Sequence, residues 1–220
     1  DQPFMLWAGT WDPHGPYRTP PPWDTMYDPE GIPAPIRDEA ELDAYPPPIR
    51  KMAVTEFNKD PNISLETALK NTTAMFYGMI SHIDDQVGRL VKGLEDMGVL
   101  DDTIILFTSD HGDMMGDHWF MAKRLFFYDG ALKIPGLMAG PGIKPGGRYD
   151  GLVETVDIAP TLLDLAGVEC PSTVQGKSWK PMLDGEIESV HDDVFTEFQY
   201  HVGFGDTADP SADENIASLY

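Results

Sequence analysis

The sequence has one cysteine, Cys170, few cations and no long apolar run. A lone cysteine excludes an internal disulfide, so packing and hydrogen bonds must hold the fold. Fifteen Lys and Arg stand against 37 Asp and Glu, a formal net charge of −22. That shortage of cations excludes the basic groove on which nucleic-acid binding depends. No stretch approaches the roughly 18 consecutive apolar residues of a membrane span. What is present is a chain of 220 residues, 41% hydrophobic and 10% aromatic, enough for a core and too apolar for intrinsic disorder.

The apolar run Phe4–Gly9 reads as a buried strand, and the chain ends on Asn215-Ile216-Ala217-Ser218-Leu219-Tyr220 without a closing turn. Both ends fall inside expected elements, which predicts a piece of a longer protein. From Trp11 to Pro48 proline is so dense that a helix-free surface excursion is expected. Ser64 then reads as an N-cap. Leu65, Leu69, Phe76, Met79, Ile80, Ile83, Val87, Leu90, Val91 and Leu94 recur at helical spacing, and Gly98 stops the helix. The β-branched, uncharged run Thr103–Ser109 predicts a parallel strand buried on both faces. A second strand is expected at Ile134–Ala139, a helix from Thr155 or Asp157 to Ala166 closed by Gly167, and a strand at Val194–Phe198. The order indicates an α/β sandwich.

Ligands of α/β proteins sit beyond the carboxyl ends of the strands. The run Thr103–Ser109 is followed at once by Asp110-His111-Gly112-Asp113. A carboxylate and an imidazole there fit a divalent cation, although a polar turn leaving a strand is the more ordinary reading of a lone Asp-His-Gly. Lys123 lies twelve residues beyond His111, among Trp119, Phe120, Phe126, Phe127 and Tyr128. Its point charge suits a tetrahedral oxyanion, although a solvated loop cation reads the same way. His118, in Gly116-Asp117-His118-Trp119, is ambiguous in the same way, and His14, in Pro13-His14-Gly15-Pro16, reads as a proton donor or a turn residue.

Taken in order, these segments resemble the sulfatase family of the alkaline phosphatase superfamily. The resemblance rests on Pro13-His14-Gly15-Pro16, on Val87-Gly88-Arg89-Leu90, and on Thr103–Gly112 followed by Met115-Gly116-Asp117-His118 and Lys123. It continues through Asp157-Ile158-Ala159-Pro160-Thr161-Leu162-Leu163, Gly176-Lys177-Ser178 and Pro181-Met182-Leu183. It implies an alkaline-phosphatase-like sandwich, a mostly parallel central sheet with helices on both faces, incomplete at the N-terminus. Residues 1–198 would be the later part of the catalytic domain, and residues 199–220 the start of a C-terminal subdomain or a linker. Asp110 and His111 would bind one divalent cation, calcium first, with manganese or zinc as alternatives. Lys123 would contact the sulfate, His14 would serve the leaving group or hydrogen-bond substrate oxygens, and His118 would touch substrate. The substrate would be a sulfated small molecule or a sulfated glycan, with no nucleic acid and no membrane span involved. The resemblance favours a periplasmic, extracellular or lysosomal setting.

The family's nucleophile is a formylglycine made from a Cys/Ser-x-Pro-x-Arg motif, which this sequence does not contain. Cys170-Pro171-Ser172-Thr173-Val174 has proline one place early and no arginine, so Cys170 reads as an incidental loop thiol. The parent protein is therefore expected to be a sulfuric ester hydrolase and these 220 residues alone to be inactive. Two alternatives stay open: a phosphonate monoester or phosphodiester hydrolase of the same superfamily, and a non-catalytic acidic cation-binding module.

Overall fold

The computed structural model describes residues 2–54, 60–123 and 126–197. The chain divides into two compact units, one from Asp1–Thr103 with His111–Ile134, the other from Ile104–Asp110 with Pro135–Tyr220.

In the first unit α1 is Glu39–Ala44, α2 Pro47–Arg50, α3 Leu65–Asp96 and α4 Asp129–Leu132. The long helix α3 starts as the sequence predicts, with the Thr67 N–H donating to Ser64 Oγ at 3.1 Å. It also ends as predicted. Gly98 takes φ +69°, and the Val99 N–H reaches back to Leu94 O at 3.1 Å, satisfying a terminal carbonyl. Only the first half of its apolar face is deeply covered: Leu69, Ala74 and Met79 are buried, whereas Ile80 and Leu90 are exposed. The proline-rich excursion supplies that cover. Trp23 packs on His82 at 4.4 Å and Tyr27 on Tyr77 at 5.5 Å, and a Cβ at Gly78 would lie 2.3 Å from Trp23 O.

The excursion corrects one expectation. It carries short helices and buries Ile32 and Leu42, so it is neither helix-free nor confined to the surface. Asp38 caps α1 by accepting the Ala40 N–H at 2.9 Å, and Pro47 opens α2, where a missing N–H costs nothing. A second correction concerns Phe4–Gly9, which forms no strand; Phe4, Met5, Leu6 and Trp7 are exposed. A strand needs a hydrogen-bonded neighbour, and among the described residues none pairs with this run.

In the second unit β1 is Ile105–Thr108 and β2 Gly136–Ala139, followed by α5 at Ile158–Leu165 and α6 at Lys180–Leu183. The strands pair antiparallel, Ile105 opposite Ala139 and Thr108 opposite Gly136. The expected parallel, doubly buried strand is thus half-buried, and its partner among the described residues runs antiparallel. A continuous apolar run reports burial without direction, and largely parallel sheets often carry an antiparallel strand. The helix α5, introduced by a turn at Thr155–Asp157 and closed by Gly167 at φ +67°, matches its prediction. Residues 194–197 form no strand; Phe198 and residues 199–220 lie outside the described residues. Among the described residues no helix is long and apolar enough to cross a membrane.

Candidate functional site

β1 delivers the chain to Ser109-Asp110-His111-Gly112. Gly112 is forced by a close approach: its N–H donates to Ala131 O at 2.8 Å, and a Cβ there would lie 2.0 Å from Gly130 O. His111 Nδ1 lies 2.8 Å from Gly112 O. A carbonyl only accepts, so Nδ1 is the donor in this bond and the ring is fixed by it. Asp110 directly precedes His111 in the chain, and carboxylate and imidazole are both ordinary ligand types for a divalent cation.

From Asp113 to Ala122 the backbone folds into a tight loop. Met115, His118, Trp119 and Ala122 all have positive φ, between 45° and 70°, a conformation that costs roughly 1–2 kcal/mol per non-glycine residue. The loop is held by bonds to the excursion. The His118 N–H donates to Ile36 O at 2.7 Å, the Ile36 N–H to Asp117 Oδ1 at 2.7 Å, and Trp119 Nε1 to Asp38 O at 2.9 Å. Asp113 anchors its base. Its Oδ1 accepts the Met115 N–H at 3.0 Å and the Ala122 N–H at 2.8 Å, and its Oδ2 accepts the Tyr17 hydroxyl at 2.9 Å. Beneath it, Met114 and Phe120 are buried with Ala131. Lys123 follows immediately and is exposed. His14 is three residues before Tyr17; its Nδ1 donates to Gly15 O at 2.6 Å and its ring lies 4.9 Å from that of Trp11. One carboxylate therefore ties the segment of His14 to the segment of Lys123.

His118 is placed in a polar cluster with residues that the sequence did not single out. Its Nδ1 meets Glu41 Oε1 at 2.8 Å, and its ring stacks on Tyr128 at 3.9 Å. Tyr128 donates to the same Glu41 oxygen at 3.0 Å, and the Tyr45 and Tyr128 hydroxyls are 2.9 Å apart. Burial raises the Glu41 pKa, but the bonds from His118, Tyr45 and Tyr128 together outweigh it and hold the carboxyl below its ordinary range. Burial, then bonding to Tyr128 and Glu41, pushes the Tyr45 hydroxyl upward, so it stays a donor.

A second acidic centre escaped the sequence reading. Glu154, Asp157 and His191 bring potential ligand atoms within 4.8 Å of one another, a group able to hold a cation. Asp157 is fully buried and already saturated. Oδ1 accepts the Lys177 N–H at 2.8 Å, and Oδ2 faces the Glu154 N–H at 2.8 Å, Trp179 Nε1 at 3.3 Å and His191 Nε2 at 2.9 Å. An ion would have to displace these donors, so the arrangement first serves to seat α5. Glu154 and Asp157 form a reciprocal cap whose spacing is visible in the sequence; His191, 34 residues on, is not. Cys170 is exposed.

The sulfatase family model matches residues 1–168. An arylsulfatase of Clostridium perfringens is 35% identical over 90% of this chain and 41% of its own length. A choline-sulfatase of Rhizobium meliloti is 33% identical over 84% of this chain and 36% of its own. Among solved structures, the phosphonate monoester hydrolase SpPMH of Silicibacter pomeroyi superposes with a TM-score of 0.71 at 32% identity, covering 83% of this chain and 37% of that one. The chain spans about two-fifths of the length of these relatives. The structural likeness gives an alkaline-phosphatase-like α/β fold, here seen as part of one with a small sheet.

Proposed function

The chain belongs to the sulfatase family, and from that premise we propose that the full-length protein hydrolyses sulfate esters with the help of one divalent cation. The observation that carries the reading is the Asp113 carboxylate, which binds Tyr17, near His14, and Ala122, next to Lys123. Asp110 and His111 would hold the cation, calcium in the first instance and manganese or zinc otherwise. When bound, the cation offsets negative charge building on the sulfuryl oxygens. Lys123, exposed at the end of its loop, adds a positive charge to the same oxygens. His14 donates Nδ1–H to Gly15 O, which leaves Nε2 to meet the leaving-group oxygen or another substrate oxygen. The substrate would be a sulfated small molecule or glycan, in keeping with relatives named as an arylsulfatase and a choline-sulfatase.

Aryl-sulfate turnover and metal content of the full-length protein test the proposal, wild type against Asp110→Ala. Loss of both in the variant is expected; wild-type values for both would remove Asp110 from the site. The likeness to a phosphonate monoester hydrolase favours one second reading, in which the same residues face a phosphonate ester. Both esters present a tetrahedral oxyanion, so initial rates on an aryl sulfate and an aryl phosphonate decide between them.

A further inference from the structure

We infer that Asp113 and Tyr17 are positioning residues, which together hold the segments of His14 and Lys123 in one working arrangement. This rests on the function proposed above, but the geometry behind it is independent of any substrate. The Asp113–Ala122 loop contains four non-glycine residues in the left-handed region, and each would relax toward ordinary backbone angles if released. Two of the four are Met115 and Ala122, at φ +45° and +59°, and their N–H groups are the two that Asp113 Oδ1 accepts. The carboxylate thus opposes the strain at the residues that bear it. Ala122 is bonded to Lys123, so relaxation there would swing the lysine.

The second oxygen reaches the other segment. Tyr17 is half-buried against the cluster of Val54, Leu69 and Met121, with its ring edge-on to Phe76 at 6.0 Å. Its hydroxyl is therefore delivered by a packed ring and bonds Asp113 Oδ2 at 2.9 Å. Three donors on two oxygens suit an ionised carboxylate, which only accepts. An asparagine could imitate it. Its carbonyl would take the Met115 and Ala122 N–H groups, and its amide would donate to the Tyr17 oxygen. An alanine could do neither.

The test uses the full-length protein with Tyr17→Phe, Asp113→Ala and Asp113→Asn, assayed on an aryl sulfate and an aryl phosphonate. Misplacing a catalytic group by about 1 Å costs about 10²-fold in rate. Asp113→Ala should lose about that much in kcat, and Tyr17→Phe about tenfold, each with KM held within about twofold. Asp113→Asn should recover at least about a third of the wild-type kcat. The inference is overturned if Asp113→Ala and Tyr17→Phe both keep kcat within twofold, or if Asp113→Asn is no better than Asp113→Ala. If Asp113→Ala does not fold, Tyr17→Phe, which keeps the ring and its packing, decides the matter alone. If wild type hydrolyses neither ester, the functional reading fails while the positioning is still measurable by amide hydrogen exchange. Faster exchange at Met115 and Ala122 in Asp113→Ala, returned to wild type in Asp113→Asn, sustains it; unchanged exchange in Asp113→Ala overturns it.

Discussion

Two aspartates, one in each unit, organise loops by the same device and to different ends. Asp157 is fully buried, and its partners are the N–H groups of Glu154 and Lys177 and the rings of Trp179 and His191. Each partner is spent on seating α5 and the residues packed on it. Asp113 is half-buried and accepts three donors, but the segments it binds carry His14 and the exposed Lys123. A carboxylate rich in donors is thus no mark of a reactive site by itself. The mark is whether the structure it holds ends in a side chain with chemistry left to do.

The largest expected effect strikes the structural member of the pair. Asp157→Ala removes the acceptor from two backbone N–H groups and the Trp179 indole, and each buried unsatisfied donor costs about 1–3 kcal/mol. Thermal melting of the full-length protein should report a loss of at least about 3 kcal/mol. A loss below about 1 kcal/mol would mean that water satisfies these groups and that the node is no anchor.

Lys123→Ala is its counterpart. An exposed lysine contributes little to folding, so the melting temperature should hold while turnover falls by roughly 10²–10³. The contrast inverts if stability falls and turnover does not. In that event Lys123 belongs with Asp157 as a structural residue.

How far the sequence went follows the same division. Helix α3 was legible to its caps, because Ser64 and Gly98 are local signals and the spacing of Leu65, Leu69, Phe76 and Met79 needs no knowledge of the rest of the fold. The helix α5 was legible through Pro160 and Gly167 for the same reason. Strand direction was not, since Thr103–Ser109 reports apolarity on both faces and nothing about its neighbours. Of the short helices of the excursion, α2 was hidden by Pro47 at a permitted first position, and α1, itself free of proline, by the prolines that flank it. Asp110, His111, Lys123 and His14 were singled out by resemblance of ordered segments, and their roles belong to the proposal. The contacts that organise the region, Tyr17 to Asp113 across 96 residues and Glu41 to His118 across 77, have no sequence signal. They are products of tertiary packing.

Acid separates the two aspartates further. Burial raises the Asp157 pKa, but bonds from the Lys177 and Glu154 N–H groups, His191 and Trp179 together overcome it and leave the carboxyl below its ordinary range. A depressed folded-state pKa means the ionised form is favoured by folding. Its contribution is therefore complete above the unfolded value of about 3.9 and is lost as pH falls through the folded value. The melting temperature of wild type should drop on acidification from neutral pH to pH 3 more steeply than that of Asp157→Asn, whose amide does not titrate. Glu41 is shifted in the same direction and adds to the acid loss in both proteins, so it does not obscure the difference. Parallel curves would show that ionisation of Asp157 is not what its partners stabilise.

The smallest effect belongs to a glycine that serves only local closure. Gly98 holds φ +69° at the end of α3, and a Cβ there would meet no atom within 4 Å. Gly98→Ala therefore bears the backbone term alone, about 1 kcal/mol, and turnover should stay at the wild-type rate. Gly112 is its opposite, since a Cβ would lie 2.0 Å from Gly130 O and one chain must move. Because Gly112 lies between His111 and Asp113, that movement should reach turnover as well as melting. Equal stability losses in Gly98→Ala and Gly112→Ala would mean the second loop yields as easily as a helix end. The rigidity ascribed to the Asp113 region would then be absent, and with it the reason for expecting Lys123 to be held in place.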